Sequence, residues 1–220
     1  MTAMRLASLG IAALLVTGLT ACTAGPEEAV PPASAPVVHI GGPGEPNRTL
    51  SPEEAAALTS PPYVESDVLF VRDMLHHHSQ ALAMTGFVPD RSHDESVHLL
   101  AERMEIGQTD EMAMLERWLQ DRGEPVRDPD AAHGHSAASM PGLLTDAEMA
   151  QLEAAEGEEF DILFLTFMIK HHQGAIQMVQ ELYAAGGGQE VEIGTMALNI
   201  EADQNIEIKR MQQMLAERQG

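Results

Sequence analysis

Methionine and histidine recur together along this chain in a fixed pattern. Phe70, Met74, His77, His78, Ala81 and Met84 return as Phe164, Met168, His171, His172, Ala175 and Met178, a shift of 94 residues (164 less 70). Residues four apart share one helix face, so Met74 with His78, and Met168 with His172, can reach a single ion. A thioether is a poor ligand for hard cations and a good one for Cu(I), whereas imidazole suits Cu(I), Cu(II) and Zn(II). The repeated pattern therefore has the chemistry of a copper site, with Cu(I) favoured. Methionine also fills gaps in helix cores, and any one of these residues taken alone reads as packing. Of the 14 methionines, however, 12 remain once Met1 and Met4 are set aside with the leader described below, and the paired histidines recur in register. Together these features point to a transition metal.

The elements that must position these groups follow from hydrophobic periodicity. Steps of three and four residues link Asp67, Phe70, Met74, His77, Ala81 and Met84 into one inward stripe, and Asp161, Phe164, Met168, His171, Ala175 and Met178 into another. Ala101, Met104, Gln108, Glu111, Leu115 and Trp118 form a third stripe, matched by Ala197, Ile200, Gln204, Glu207, Met211 and Met214. Long helices are predicted over 64–85 and 94–122, then 158–185 and 189–218, with Gly86, Pro89 and Gly123 ending helices in the first copy. Ser51 with Glu54, and Thr145 with Glu148, have capping-box spacing, so a short helix opens each copy. In the second helices the shift grows to 96 (Gln108 to Gln204), which predicts a loop two residues longer at Gly186 to Gly188. No strand is expected. The fold class is all-α: a four-helix bundle built from two tandem repeats of a helix pair, 51–123 and 145–220, joined by a linker over 124–144 into one domain.

Each seam is apolar at its ends and polar in the middle. If short loops join antiparallel helices, His77 lies beside Gln108 and Met74 beside Glu111, and two copies bring two His, two Gln, two Glu and two Met into central layers. Burying a neutral polar group without a partner costs roughly 2–7 kcal/mol, so these residues satisfy one another, as a hydrogen-bond network, or something bound. Asp67 and Asp161 sit near helix starts, where a carboxylate is favoured by the dipole, and read as structural. His76 has Lys170 as its counterpart and reads as surface, while His133 and His135 read as solvated linker residues or an exposed auxiliary site.

Arg5 precedes an uncharged, mostly apolar run over 6–19 and then Cys22, the order of a secretory signal over 1–21. Leu19 to Cys22 looks like a bacterial lipobox, which would make Cys22 a lipid-bearing N-terminus at the cell surface or in the periplasm. The run has about 14 residues where about 20 are needed to span a bilayer. Pro26, Pro31, Pro32, Pro36, Pro43 and Pro46 mark 22–50 as a disordered tether. A formal net charge of -22 repels phosphate backbones and attracts cations, so nucleic acid is not an expected partner.

These motifs resemble the bacterial family called domain of unknown function 305, with the likeness covering nearly all of 51–220. The resemblance implies a ferritin-like four-helix bundle, and some members are similar to periplasmic copper-binding proteins. Carried over by position, it implies metal ligands at Met74, His77, His78 and Met84 and at Met168, His171, His172 and Met178; the seam residues Gln108, Glu111, Gln204 and Glu207 are expected behind them. The first copy departs from the second in having Leu115 and Trp118 opposite Met211 and Met214, and Trp118 would crowd a site there.

The leading expectation is a non-enzymatic protein that sequesters or hands on copper outside the cytoplasm. An alternative is a structural or partner-binding bundle whose His and Gln layers are internal glue. A di-metal oxidase is a third reading, but its Glu-x-x-His signature is expected on two helices. Here Glu95 and His98 supply one such pair, and Gly194 stands where the second His would be needed.

Overall fold

The computed structural model describes residues 38–39, 46–56, 61–126 and 140–219. The apolar run over 6–19 that reads as a signal, Cys22, His133 and His135 lie outside them. The chain divides into two units at Ala57/Leu58. In the first unit Val38–His39 (β1) pairs antiparallel with Arg48–Thr49 (β2), a short ladder that the sequence did not announce and that falls within the expected tether. Pro52–Ala56 (α1) follows. Its capping box is formed: Ser51 N donates to Glu54 Oε2 (2.9 Å) and Glu54 N to Ser51 Oγ (3.1 Å).

The second unit is an all-α bundle of Glu65–Thr85 (α2), Val88–Arg91 (α3), Glu95–Asp121 (α4), Asp146–Ala154 (α5), Gly157–Ala184 (α6) and Val191–Gln219 (α7). Helix starts follow the local chemistry. Asp94 accepts from Ser96 N (2.7 Å), and Thr145 and Glu148 exchange bonds of 2.8 and 3.2 Å in the second capping box. Gly123, at φ +71°, ends α4 as a residue without a Cβ can.

The expected longer second loop is not found. Pro89 cannot continue a helix, so the first connection, 86–94, contains the separate turn α3. The second copy has no proline between Gly157 and Val191, so its extra residues lengthen α6 and leave the shorter connection 185–190.

Two apolar clusters hold the bundle. One joins Ala81 and Met84 of α2, residues 97–104 of α4, residues 160–168 of α6 and residues 208–214 of α7. The other joins residues 68–75 of α2, residues 115–119 of α4, residues 175–182 of α6 and residues 193–200 of α7. Each cluster mixes the start of one helix with the end of its neighbour, which makes α2 antiparallel to both α4 and α6, and α6 antiparallel to α7. Each buried Phe, Leu or Met contributes about 1.5–3 kcal/mol. Between the clusters every long helix presents polar side chains: His77 and His78, Gln108 and Glu111, His171 and His172, Gln204 and Glu207.

The packing is uneven around this waist. Helices α2 and α4, α2 and α6, and α6 and α7 pack closely, whereas α4 and α7 touch little. Opposite that gap, residues 140–144 cross over α2 and α6. Gln80 exchanges two bonds with the Leu144 backbone (2.9 and 2.8 Å), and Gly142, at φ +77°, lies against Gly174.

Candidate metal centre

Four imidazoles meet at the waist. His77, His78, His171 and His172 are each at most 1% exposed, and the rings of His77 and His171 lie 3.8 Å apart between centroids at 39°. The two adjacent pairs are wider, at 6.4 Å for His77 and His78 and 6.2 Å for His171 and His172. Burial pushes His77 down to about 3, with repulsion from His78 next in size, and pushes His171 well below its ordinary value, with repulsion from His77 adding to it. Both are neutral bases at physiological pH.

Hydrogen bonds decide which nitrogen is free on three of these four rings. His78 Nε2 lies 2.7 Å from Glu111 Oε2, and His172 Nε2 lies 2.5 Å from Glu207 Oε2. An ionised carboxylate only accepts, so in neutral imidazole Nε2 carries the proton and Nδ1 keeps its lone pair. His77 Nε2 donates to Pro141 O (3.1 Å), with the same result. The Nδ1 atoms of all four histidines are buried without a partner, as are Nε2 of His171, both amide atoms of Gln108 and Oε1 of Gln204. Each such atom costs about 1–3 kcal/mol unless something satisfies it. A carboxylate behind a histidine also orients the ring and raises its basicity towards a metal.

The thioethers are divided between the two sides of the waist. Met74 and Met168 stand one turn before their histidine pairs. Met84 and Met178 follow His77 and His171 by seven residues, about 10 Å along a helix. Met84 instead shares a cluster with Met168, and Met178 with Met74, so each distal methionine joins the proximal one of the other helix. The sides are unequal. One holds Met84, Met104, Met168, Met211 and Met214, the other Met74, Met178 and Met196. Among the described residues no three His, Cys, Asp or Glu side chains form a ready metal cage.

On its solvent side the waist opens into a cleft of about 220 Å³ between α4 and α7. Gly107, Gln108 and Glu111 line one wall and Asp203, Gln204 and Glu207 the other. Asp203 is pushed up by desolvation and by the charges of Glu111 and Glu207. The cleft, and the Pro141 carbonyl on His77, were not read from the sequence. Gly174 was the available signal for the latter, since it stands where the first copy has Gln80 and a Cβ there would lie 2.1 Å from Pro141 O.

The remaining sequence candidates lie away from the waist. Asp67 accepts from Gly188 N (2.6 Å) and Asp161 from Ser92 Oγ (2.6 Å), so each is structural and each ties down the loop of the other half. Trp118 is fully buried in the cluster that holds Met74 and Met178. It is ten residues beyond Gln108, with Nε1 on Glu190 (3.1 Å), Arg122 over its ring (4.3 Å) and Tyr63 at its edge. His76 is exposed. Glu95 is exposed, and His98 Nε2 bonds Ser92 O (2.9 Å) in the first turns of α4. Among the described residues no helix is long and apolar enough to cross a membrane.

Comparisons with other proteins agree with this architecture. The chain is similar to a DUF305 protein described as secreted, from Streptomyces coelicolor (31% identity, TM-score 0.62, covering 70% of this chain and 94% of that one). It is also similar to a DUF305 fragment from Deinococcus radiodurans (32% identity, TM-score 0.63, covering 71% and 99%). CopM in its Cu(II)-bound form is 25% identical, with a TM-score of 0.58 and coverage of 69% and 96%, and CopM has also been solved with silver bound. No curated protein matches. The model of the family described as domain of unknown function (DUF305) matches residues 67–215, and the chain belongs to that family.

Proposed function

We propose that this protein binds copper outside the cytoplasm and holds it, or passes it on, without catalysing a reaction. The observation that carries the reading is the set of four buried Nδ1 atoms without partners, three of them on rings whose Nε2 faces an acceptor. A soft monovalent ion fits imidazole lone pairs flanked by thioethers, and Cu(I) is the biological ion of that kind. Met74, His77, His78 and Met84, with Met168, His171, His172 and Met178, supply the donors, recombined across the two helices. Glu111 and Glu207 orient His78 and His172, and Gln108 and Gln204 offer amide groups beside them. CopM, a relative with copper- and silver-bound forms, supports the assignment. From the lipobox-like tetrad Leu19 to Cys22 we infer a lipid anchor on Cys22 that holds the protein at a membrane.

The test is anaerobic competition for Cu(I) against a coloured chelator. The parent is compared with a variant carrying Leu at positions 77, 78, 171 and 172, its fold checked by circular dichroism. Tight binding by the parent and its loss in the folded variant is the expected result. Equal behaviour of the two would make the waist an internal hydrogen-bond network and the protein an interaction bundle.

A further inference from the structure

We propose that the cleft between α4 and α7 is the entry subsite through which a soft monovalent cation reaches the histidine layer and leaves it. This rests on the copper-binding reading above. The waist is closed by apolar clusters on two sides and, at the back, by residues 140–144, where Pro141 O sits on His77 and Gly142 against Gly174. At the front, α4 and α7 part to leave about 220 Å³. That cleft ends on the two carboxylates that touch the histidines, Glu111 on His78 and Glu207 on His172.

The acidity of the cleft is not the whole argument. Gln108 and Gln204 also line it, at 3% and 2% exposure, and three of their amide atoms are buried without partners. An amide oxygen can take over part of an ion's hydration shell as it sheds water. Asp203, Glu111 and Glu207 supply negative potential, which raises the local concentration of a cation in a cleft with low-dielectric walls. Arg103 carries the one positive charge among the lining residues.

Gly107 makes the proposal testable. A Cβ built on it meets nothing within 4 Å, so this position on the wall of the cleft has room for a larger side chain that narrows the opening. A plug in a passage changes rates in both directions and leaves the equilibrium alone. Cu(I)-loaded parent and Gly107→Phe are mixed with excess chelator and release is followed by absorbance, while affinity is measured separately by equilibrium competition. Release slowed by about tenfold or more at a nearly unchanged Kd is expected, since a plug slows entry by the same factor and on-rates vary over about one to three decades among variants of one site. Ile206→Trp, at an exposed position on the other wall, gives the same result by a second route and covers the case in which Gly107→Phe misfolds. Release as fast as the parent's in a folded variant overturns the passage, as does a Kd that weakens in step with faster release. A parent that cannot bind Cu(I) overturns the functional reading itself, and the passage with it.

Discussion

His77 and His171 are held as neutral bases, and this has a cost that depends on pH. An unfolded imidazole takes up a proton near 6.5, whereas His77 in the fold does so only near 3. Between those values the unfolded chain binds more protons, so stability is full above about pH 6.5 and falls as pH drops towards 3. His171, lowered in the same direction and for the same reason, adds to the effect. Urea midpoints of the metal-free protein are expected to fall steadily from pH 7.5 to pH 5, by an amount that exceeds the loss in a His77→Leu, His171→Leu variant over the same range. Equal slopes in the two would mean that these imidazoles are not buried as neutral groups. The carboxylates behind His78 and His172 make a second prediction. Glu207→Ala removes the acceptor that keeps the proton on Nε2, and it should weaken Cu(I) binding by about 10–100-fold, the usual loss when such a partner is removed. Competition titration reads the affinity, and ¹⁵N shifts of His172 read the tautomer.

At the scale of the element, the two copies differ where segment 140–144 crosses them. Gly174 on α6 admits that segment because it lacks a Cβ, while Gln80 on α2 binds it through its amide. Gly174→Ala drives a methyl into the Pro141 carbonyl and is expected to cost about 1–3 kcal/mol in urea denaturation, with loss of the His77 to Pro141 bond. Gly107→Ala, in the middle of exposed α4 with open space around it, should instead raise stability by about 0.5–1 kcal/mol. Much of this level was legible in the sequence. The inward stripes, the polar centre of each seam, both capping boxes and the end of α4 at Gly123 follow from local periodicity and capping chemistry. What could not be read depends on contacts between distant segments. The turn α3 needed the consequence of Pro89 to be followed through. The Pro141 carbonyl over His77 joins residues 64 apart. The pairing of Met84 with Met168, and of Met74 with Met178, depends on which helix lies beside which, and a single helical wheel does not contain that information.

For the whole molecule, the waist divides two apolar ends of different character. One end holds five buried methionines, the other three together with Leu115 and Trp118. A soft ion should therefore favour the first end, and Met168→Leu with Met211→Leu is expected to weaken Cu(I) binding more than Met74→Leu with Met178→Leu. Equal losses, measured by the same competition titration, would show that neither end is favoured, and no loss in either variant that the thioethers act as packing alone. The ends are also fastened differently from the middle. Asp67 of the first half grips the Gly188 backbone of the second, and Asp161 of the second grips Ser92 of the first, with Arg218 joining Asp94 near that end. Neither half therefore completes its own loop. A chain cleaved between Val126 and Met140 would behave as two complementary fragments, each the template for the other, and the same reciprocity would let two intact chains exchange halves into an intertwined dimer with every clasp preserved.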